Sequence, residues 1–455
     1  MNWQEYLKGK KVTIIGLGLN GGALNDAKFL SKHGAILTIT DIKTAEELKP
    51  SIDALAGYEN ITYVLGEHRL GDFQTADFIL QPGNVPLDSV YLAEARKNNI
   101  PIHVGESLFV HLAPEVLLVG VTGTRGKSTV THLLYEILKK GLNLAEGEVG
   151  QNSQGRRLFL GGNVRNVSTL ALLEEIKAGD TVVMELDSWA LRGLGDIKKS
   201  PQVSVFTNFM KDHLNFYKGD IDMYLEDKAQ IFLHQNVDDT LVLGSQVESL
   251  VRERYGNEIK SKIIVPPVDL PADWQIKMPG AHNRYNTSLA VAAARELGVA
   301  EKVIKEVAES FRGLPGRLEY LGEKEGITYY NDNNATTPDG TIAAVKSFPD
   351  HKGKIILIGG GADKELDFTE YSQVMPDYVK KFILFTGKAT EKIKAVLPAS
   401  ADVVVVDSMD EALKQAWACS GKGDMILLSP GAASFGVFQN EYQRNDQFVE
   451  LVKNI

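Results

Sequence analysis

Cysteine is nearly missing from this chain: among 455 residues there is one, Cys419. A single thiol cannot close an intrachain disulfide, which excludes a small secreted scaffold held by bridges. Long hydrophobic runs are missing as well. No apolar stretch reaches the roughly 18–20 residues that a membrane span needs, and the opening MNWQEYLKGKK lacks the apolar centre of a secretory signal. An excess of positive charge is the third absence. Asp and Glu number 59 against 49 Lys and Arg, a net charge of −10, so an overall electrostatic grip on nucleic acid or on an anionic membrane is excluded and only a local basic pocket stays open. Short-period repeats, low-complexity tracts and blocks of like charge are absent too. These absences point to a reducing cytoplasm. The balance of 44% hydrophobic and 24% charged residues is that of a globular enzyme and not of a disordered chain.

Glycine is abundant. The 42 glycines sit mostly where short apolar runs end, and helix-length segments follow those runs, the rhythm of β-α units around parallel sheets. The rhythm occurs three times, and at roughly 100–200 residues per domain the length allows about three domains. The first block holds VTIIG (12–16), ILTITD (36–41), ITYVL (61–65) and DFILQPG (77–83). The second holds EVLLVGV (115–121), TVVMEL (181–186) and QVSVFTN (202–208), with a helix in which Val130, Leu133, Leu134, Ile137 and Leu138 form one stripe, and further helices near 221–234 and 283–297. After the break GLPGR (313–317), a third block runs through ITYYND, KIILIGGG, KFILFTG, ADVVVV and DMILLSPG. The expected architecture is α/β with three domains: a Rossmann-like domain at 1–108, a central P-loop-type ATPase domain at 109–313 and a Rossmann-like carboxy-terminal domain at 314–455.

Two glycine loops carry the chemistry. Gly16-Leu17-Gly18-Leu19-Asn20-Gly21 matches G-x-G-x-x-G between a strand and a helix, and Asp41 ends the next strand 20 residues past Gly21. That spacing lets backbone N–H groups meet a diphosphate while an acid accepts from a ribose hydroxyl. Read alone, it suggests a nicotinamide-dependent dehydrogenase, although such glycines also close strand-helix joints that bind nothing. The second loop, Gly120-Val121-Thr122-Gly123-Thr124-Arg125-Gly126-Lys127-Ser128-Thr129, departs from the strict P-loop by one position, Val121 standing where glycine is expected. Its parts are those of a triphosphate site: small residues that let the backbone wrap phosphates, Lys127 for the β/γ-phosphates and the Ser128 hydroxyl for Mg²⁺. Glu185 closes the apolar strand TVVME, where a carboxylate is costly to bury unless it is paired or bound to a metal. Asp212-His213 follows the next strand and reaches the same carboxyl-edge crevice.

The segments GVTGTRGKST, MELDSW, TNFMKDHLN, AHNRYN and GLPGR, in that order along the chain, resemble the Mur ligase family of ATP-dependent amino-acid-adding enzymes. The stretches GLGLNGG, NDNNATTP (331–338), GGGADK (359–364) and LLSPGAASFGVF (427–438) are similar to the branch that joins D-glutamate to UDP-N-acetylmuramoyl-L-alanine. The resemblance implies one domain for the UDP-substrate, a central ATPase and a third domain for the amino acid. It re-reads the first loop as a holder of uridine diphosphate, with Gly18, Leu19, Asn20, Asp41 and Gly83 of the Gln81-Pro82-Gly83 turn at that substrate and Asn163 close by. It assigns Gly123, Thr124, Arg125, Gly126, Lys127, Ser128 and Thr129 to the ATP phosphates, Asn283 and Asn286 to the adenine side, and Arg317 and Asp332 to ATP from the third domain. Ser128, Glu185, His213 and Lys228 would hold two Mg²⁺ ions, Lys228 as a carbamylated lysine. Thr336, Lys364 and Ser434 would hold the D-glutamate carboxylates.

Six positions depart from the family pattern. Arg125 replaces a usual asparagine, Asp187 a serine, Ala190 a glutamine and Asn215 an aspartate; Asn334 stands where a lysine is common and Glu441 where an aromatic residue is. The implied activity is ligation through an acyl phosphate by a monomeric cytoplasmic enzyme, with Lys127, His213 and Lys228 at the reacting groups. Its partners would be small molecules, with no nucleic acid or membrane. Competing readings are a ligase of the same family using another amino acid or acceptor, and a nucleotide-binding regulatory relative without ligase activity. A dehydrogenase leaves the second loop, Glu185 and His213 without a role.

Overall fold

In the computed structural model, residues 2–19, 21–83, 85–141, 156–164 and 167–454 are described. The apolar runs form three sheets. The first contains β1 (Lys11–Ile15), β2 (Ile36–Asp41), β3 (Ile61–Leu65), β4 (Phe78–Leu80) and β5 (Ile102–His103), all parallel, in the order β3-β2-β1-β4-β5. The chain winds outward from β1 to β3 and then returns to the other side of β1. Neighbours β1 and β4 therefore send their following loops in opposite directions, which opens a crevice at their carboxyl ends. Gly16 after β1 meets Pro82 after β4 there: a Cβ on Gly16 would lie 3.5 Å from Pro82 Cγ.

The second sheet holds β6 (Leu117–Thr122), β7 (Leu158–Gly162), β8 (Thr181–Glu185), β9 (Val203–Phe206), β10 (Thr240–Leu243) and β11 (Lys262–Ile264). All are parallel, in the order β11-β10-β9-β6-β8-β7. Because β6 lies between β9 and β8, the loops after three adjacent strands open on one edge. The helix Lys127–Gly141 buries the expected stripe of Val130, Leu133, Leu134, Ile137 and Leu138. One apolar core runs from Trp3 and Leu7 through to Val247 and Val251, so the first two sheets share it.

The third sheet contains β12 (Glu319–Lys324), β13 (Ile327–Asn331), β14 (Ile355–Gly360), β15 (Val379–Phe385), β16 (Val403–Val406) and β17 (Met425–Leu428), in the order β12-β13-β17-β14-β15-β16. It is parallel except for the β12–β13 hairpin. The hairpin turns on Glu325 and Gly326, both at positive φ (54° and 77°), the backbone that the twist of a two-residue hairpin requires. Central β14 shows why its run is apolar without alternation: Ile355 and Leu357 enter one core, Ile356 and Ile358 the other. By proximity the chain divides into two compact units, Met1–Val268 with Asn286–Val307, and Asp269–Tyr285 with Ala308–Ile455.

Every strand expected from the apolar runs forms. Those not anticipated, β5, β7, β10, β11 and β12, are short, glycine-bearing or partly exposed, so their runs give weak period-2 signals. The helix expected near 221–234 ends at Ala229, and the one near 283–297 is Ala281–Glu296. Gly162 ends β7 at φ +80°, and a Cβ there would overlap the Glu185 carbonyl oxygen. Gly162→Ala is expected to cost about 1–3 kcal/mol, read as a lowered denaturation midpoint with an unchanged m-value; an unchanged midpoint would show that the close approach is not needed.

Candidate active site

The turn after β6 is made by glycines that a β-carbon would break. Gly123 and Gly126 have φ of 144° and 84°. A Cβ on Gly123 would run into Thr207 Oγ1, and one on Gly126 into the Asn286 side-chain amide. The end of β9 holds the loop in place: Thr124 N donates to Asn208 O at 2.9 Å, Arg125 N to Asn208 Oδ1 at 2.8 Å, and Thr207 Oγ1 to Arg125 O at 2.6 Å. Thr207 and Asn208, which open the segment TNFMKDHLN, are supporting residues to which the sequence assigned no role; their signal is their place at the end of QVSVFTN beside the P-loop strand. Ser128 and Thr129 are buried in the first turn of the following helix. Lys127 Nζ folds back to donate to Gly123 O (3.1 Å) and Thr124 O (3.3 Å).

Lys228 is where sequence reasoning without the family goes wrong. It reads as a surface lysine on an amphipathic helix, yet it is 1% exposed. Its Nζ donates to Gly123 O at 2.9 Å and Thr122 Oγ1 at 3.4 Å and lies 4.9 Å from the centre of the Tyr224 ring. Burial, followed by repulsion from Lys127, holds the amine well below the ordinary lysine range. The adjacent Asp227 is also buried. It accepts from Arg192 Nε (3.0 Å) and Nη2 (2.6 Å) and from Tyr217 OH (2.7 Å), a bidentate pair that anchors the helix against its neighbours.

Three carboxylates and one imidazole border this loop. Glu185 is 4% exposed, pairs in register with Val121 beside the P-loop, and takes no side-chain hydrogen bond from the described residues. Asp187 caps the helix Ser188–Asp196 by accepting from Ala190 N at 2.8 Å. Aspartate and serine cap helices equally well, so this departure from the family keeps the local role. Asp212 accepts from Arg125 Nη1 at 2.6 Å. Burial pushes the Asp212 carboxyl up, but His213 and Arg125 outweigh it and hold the group below its ordinary value. His213 sits at φ 52°, and partial desolvation, with Lys127 and Lys228 nearby, pulls its imidazole down against Asp212 and Asp187. Among the described residues no three His, Cys, Asp or Glu side chains converge as a preformed metal cage. Mg²⁺ itself needs only one or two carboxylates and completes its shell with water and substrate phosphates.

At the first sheet, Asp41 holds the glycine loop itself. Its Oδ2 accepts from Leu17 N (2.9 Å) and Gly18 N (3.2 Å) and its Oδ1 from Lys43 N (2.9 Å). Of a carboxylate's roughly four lone-pair directions, one is left for a ligand. Leu19 is exposed, and Asn20 lies outside the described residues. Gly83 rests on Trp189, where a Cβ would lie 2.7 Å from Trp189 Cβ, and the Trp189 indole stacks edge-on to His213 at 4.9 Å. Gln81, Gly83, Trp189 and Arg192 line one small cleft, and the buried Gln81 Oε1 and Trp189 Nε1 have no hydrogen-bond partner among the described residues. Asn163 N donates to Glu185 O at 2.8 Å. The first loop, the turn at Gly83, Glu185 and His213 thus follow strands of the same unit.

The second unit carries the remaining residues. Asn283 is buried, its Nδ2 donating to Pro279 O at 2.9 Å; Asn286, farther along the same helix, belongs to the first unit beside Gly126. Arg317 is exposed. Asp332 is buried, accepts from Leu318 N (3.1 Å) and Ser429 Oγ (2.9 Å), and has its carboxyl pushed up to about 7 by burial. Thr336, Lys364 and Ser434 follow β13, β14 and β17, and Lys364 Nζ donates to Thr336 Oγ1 at 3.0 Å. Asn334 is exposed, and the Glu441 carbonyl accepts from Asn333 Nδ2 at 3.0 Å.

Comparison with known proteins agrees along the whole chain. Residues 121–265 match the Mur ligase middle domain, and residues 316–431 match the Mur ligase, glutamate ligase domain. UDP-N-acetylmuramoylalanine–D-glutamate ligases from Roseiflexus sp. (strain RS-1) and Borreliella burgdorferi (strain B31) are each 35% identical, over 98% and 99% of this chain and 99% of theirs. The Clostridioides difficile (strain 630) protein of that name is 31% identical over 99% of both. Among solved structures, the UDP-N-acetylmuramate-alanine ligase of Thermotoga maritima superposes with a TM-score of 0.59 at 17% identity, covering 98% of this chain and 99% of that one. The MurF ligase of Thermotoga maritima in complex with ADP also gives 0.59, at 14% identity over 100% and 96%. At these identities the likeness is one of fold.

The Arg125–Asp212 pair yields a signed prediction. A carboxyl held low by folding stabilises the protein above its unfolded pKa, and that contribution is lost as pH falls through the folded value. Arg125→Ala removes one of the two cations holding Asp212 down, so the Asp212 titration should move up and acid destabilisation should begin at a higher pH. Carboxyl NMR titration of the variant checks this; an Asp212 pKa that does not rise refutes the pairing.

Proposed function

This chain belongs to the Mur ligase family, and we infer that it joins D-glutamate to UDP-N-acetylmuramoyl-L-alanine, driven by ATP, in the synthesis of peptidoglycan precursor. It is an ATP-dependent ligase that forms an amide bond. The observation that carries the reading is the meeting of the P-loop lysine and the buried Lys228 at the Gly123 carbonyl, in a chain alignable end to end with ligases of that name.

The chemistry follows from the substrate. Its terminal L-alanine carboxylate is a poor electrophile, because an oxide is a poor leaving group. A carboxylate oxygen therefore attacks the γ-phosphorus of ATP, the bond from that phosphorus to the β,γ-bridging oxygen breaks, and ADP leaves an acyl phosphate behind. The D-glutamate amine then adds to the carbonyl carbon, the tetrahedral intermediate expels phosphate, and the amine loses a proton to solvent or a nearby base. The protein's task is to place groups and neutralise phosphoryl oxygens, with no covalent nucleophile of its own. Lys127 exchanges its two backbone carbonyls for phosphate oxygens, and Arg125 adds a second cation beside them. Mg²⁺, held by Ser128, Glu185, His213 and Lys228, supplies further neutralisation of the phosphates when bound; we propose two ions.

We propose that Lys228 acts as a carbamate. Only a neutral amine adds to carbon dioxide, releasing one proton, and burial, followed by repulsion from Lys127, favours that form here. The product replaces the amine with an anion suited to metal. In this reading residues 1–108 hold the UDP-substrate through Gly18, Leu19, Asn20, Asp41 and Gly83, with Asn163 adjoining. Residues 109–313 bind ATP through 123–129, Asn283 and Asn286. Residues 314–455 bring Arg317 and Asp332 to ATP and Thr336, Lys364 and Ser434 to D-glutamate. The orphaned Gln81 Oε1 and Trp189 Nε1 beside Gly83 support a polar substrate there, since buried polar atoms are rarely left unpaired. No described helix is long and apolar enough to cross a membrane; a cytoplasmic monomer is proposed.

Phosphate release should require all four of UDP-N-acetylmuramoyl-L-alanine, ATP, Mg²⁺ and D-glutamate. Release with L-glutamate, L-lysine or meso-diaminopimelate in its place would overturn the assignment. Lys127→Ala should abolish ligation while UDP-substrate binding stays measurable, and near wild-type turnover would contradict the mechanism. With ¹³C-bicarbonate, a carbamate resonance is expected in the wild type and not in Lys228→Ala; its absence from the wild type refutes carbamylation.

A further inference from the structure

Arg444 is an unexpected core residue of the second unit. It is 0% exposed, on the helix Glu441–Lys453 whose other buried residues are Phe448 and Val452. A guanidinium taken out of water normally meets a carboxylate. Here all three hydrogen bonds end on neutral oxygens: Nε donates to Asn333 Oδ1 at 2.8 Å, Nη2 to Asn333 O at 3.1 Å and Nη1 to Ala432 O at 3.4 Å. Among the described residues no carboxylate forms an ion pair with it. Burial pulls the group down to about 10, and Glu441 acts on it only through space, so it stays charged at neutral pH. Asp332, next to Asn333, is occupied by Ser429 Oγ and Leu318 N.

The two segments that Arg444 ties together are those that carry the amino-acid site: 332–336 ends at Thr336 and 429–434 at Ser434. Gly431 N donates to Ala335 O at 2.8 Å, joining them directly. Ala362 and Ala433 exchange backbone hydrogen bonds of 3.0 and 3.1 Å, which adds the segment bearing Lys364, and Lys364 reaches Thr336. A permanent cation therefore sits behind walls whose front would receive a doubly charged acid.

We propose that Arg444 is a positioning residue for the dicarboxylate amino acid: its three bonds hold the Thr336 and Ser434 segments in register, and its unneutralised charge draws in the acid that becomes its counter-charge. The proposal rests on the D-glutamate reading. Lys364 supplies a charge from the exposed side, whereas Arg444 supplies one that water does not screen.

The test uses the full chain and its three substrates. Arg444→Gln should raise KM for D-glutamate about tenfold or more while KM for ATP and for the UDP-substrate stays within about twofold, and Arg444→Lys should recover part of the loss. Asn333→Asp neutralises the charge while keeping the arginine: it places a carboxylate on the guanidinium, at the loss of the Asn333 Nδ2 donation to the Glu441 carbonyl. It should also raise KM for D-glutamate about tenfold while KM for ATP and for the UDP-substrate stays within about twofold. A purely structural arginine predicts the opposite: all three KM values moving together in Arg444→Gln, and Asn333→Asp leaving KM for D-glutamate unchanged. Either result overturns the proposal. If Arg444→Gln does not fold, Asn333→Asp decides it alone. A wild-type chain that ligates another amino acid and not D-glutamate overturns the functional reading and this inference with it.

Discussion

Two lysines share one carbonyl oxygen, that of Gly123, with Lys127 Nζ at 3.1 Å and Lys228 Nζ at 2.9 Å. Two full positive charges on a single acceptor repel, and the buried one has no water to disperse its charge. Burial and that repulsion favour the neutral form of Lys228. Much of the surrounding structure serves that arrangement. Gly123 has no side chain, so Thr207 and Asn208 can press against it and fix the loop. Asp227 is held by Arg192 and Tyr217, which keeps the helix, and hence Lys228, in its place. Glu185 and His213 approach from the two neighbouring strands because β6 lies between β8 and β9.

A net charge of −10 looks unfavourable for a protein whose three substrates are all anions. Most acids near the sites, Glu185 excepted, are already engaged. Asp41 accepts three backbone N–H groups, Asp212 pairs with Arg125, and Asp227 pairs with Arg192. Screening over about 8 Å at physiological salt makes those local pairings count for more than the total. The local cations Lys127 and Lys364, with Arg444 buried behind the segments of Thr336 and Ser434, then count for more than the total.

The departures from the family pattern become readable at this level. Asp187 caps the same helix that a serine would. Arg125 is accommodated because Asp212 lies at 2.6 Å to receive it, so the substitution brings a cation to the phosphates without leaving one unpaired. Nothing in the structure explains Asn215 or Asn334.

The strands buried on both faces, the two glycine loops and the place of Lys127 at a helix start were legible from residues alone, since apolar runs, φ-permissive glycines and a lysine at a helix start are local features. The family resemblance added the roles proposed for Lys228, Thr336 and Ser434. What no local pattern contained was environment. Lys228 and Arg444 sit on helices with ordinary polar sequence, and only tertiary packing takes them out of water, to 1% and 0% exposure. Thr207, Asn208 and Asn333 acquire their partners from residues about 80 to 110 positions away. The sequence by itself determined which groups can carry charge and where the backbone can turn. The tertiary structure decided which charges lose their water, because desolvation depends on neighbours that the order of residues does not place side by side.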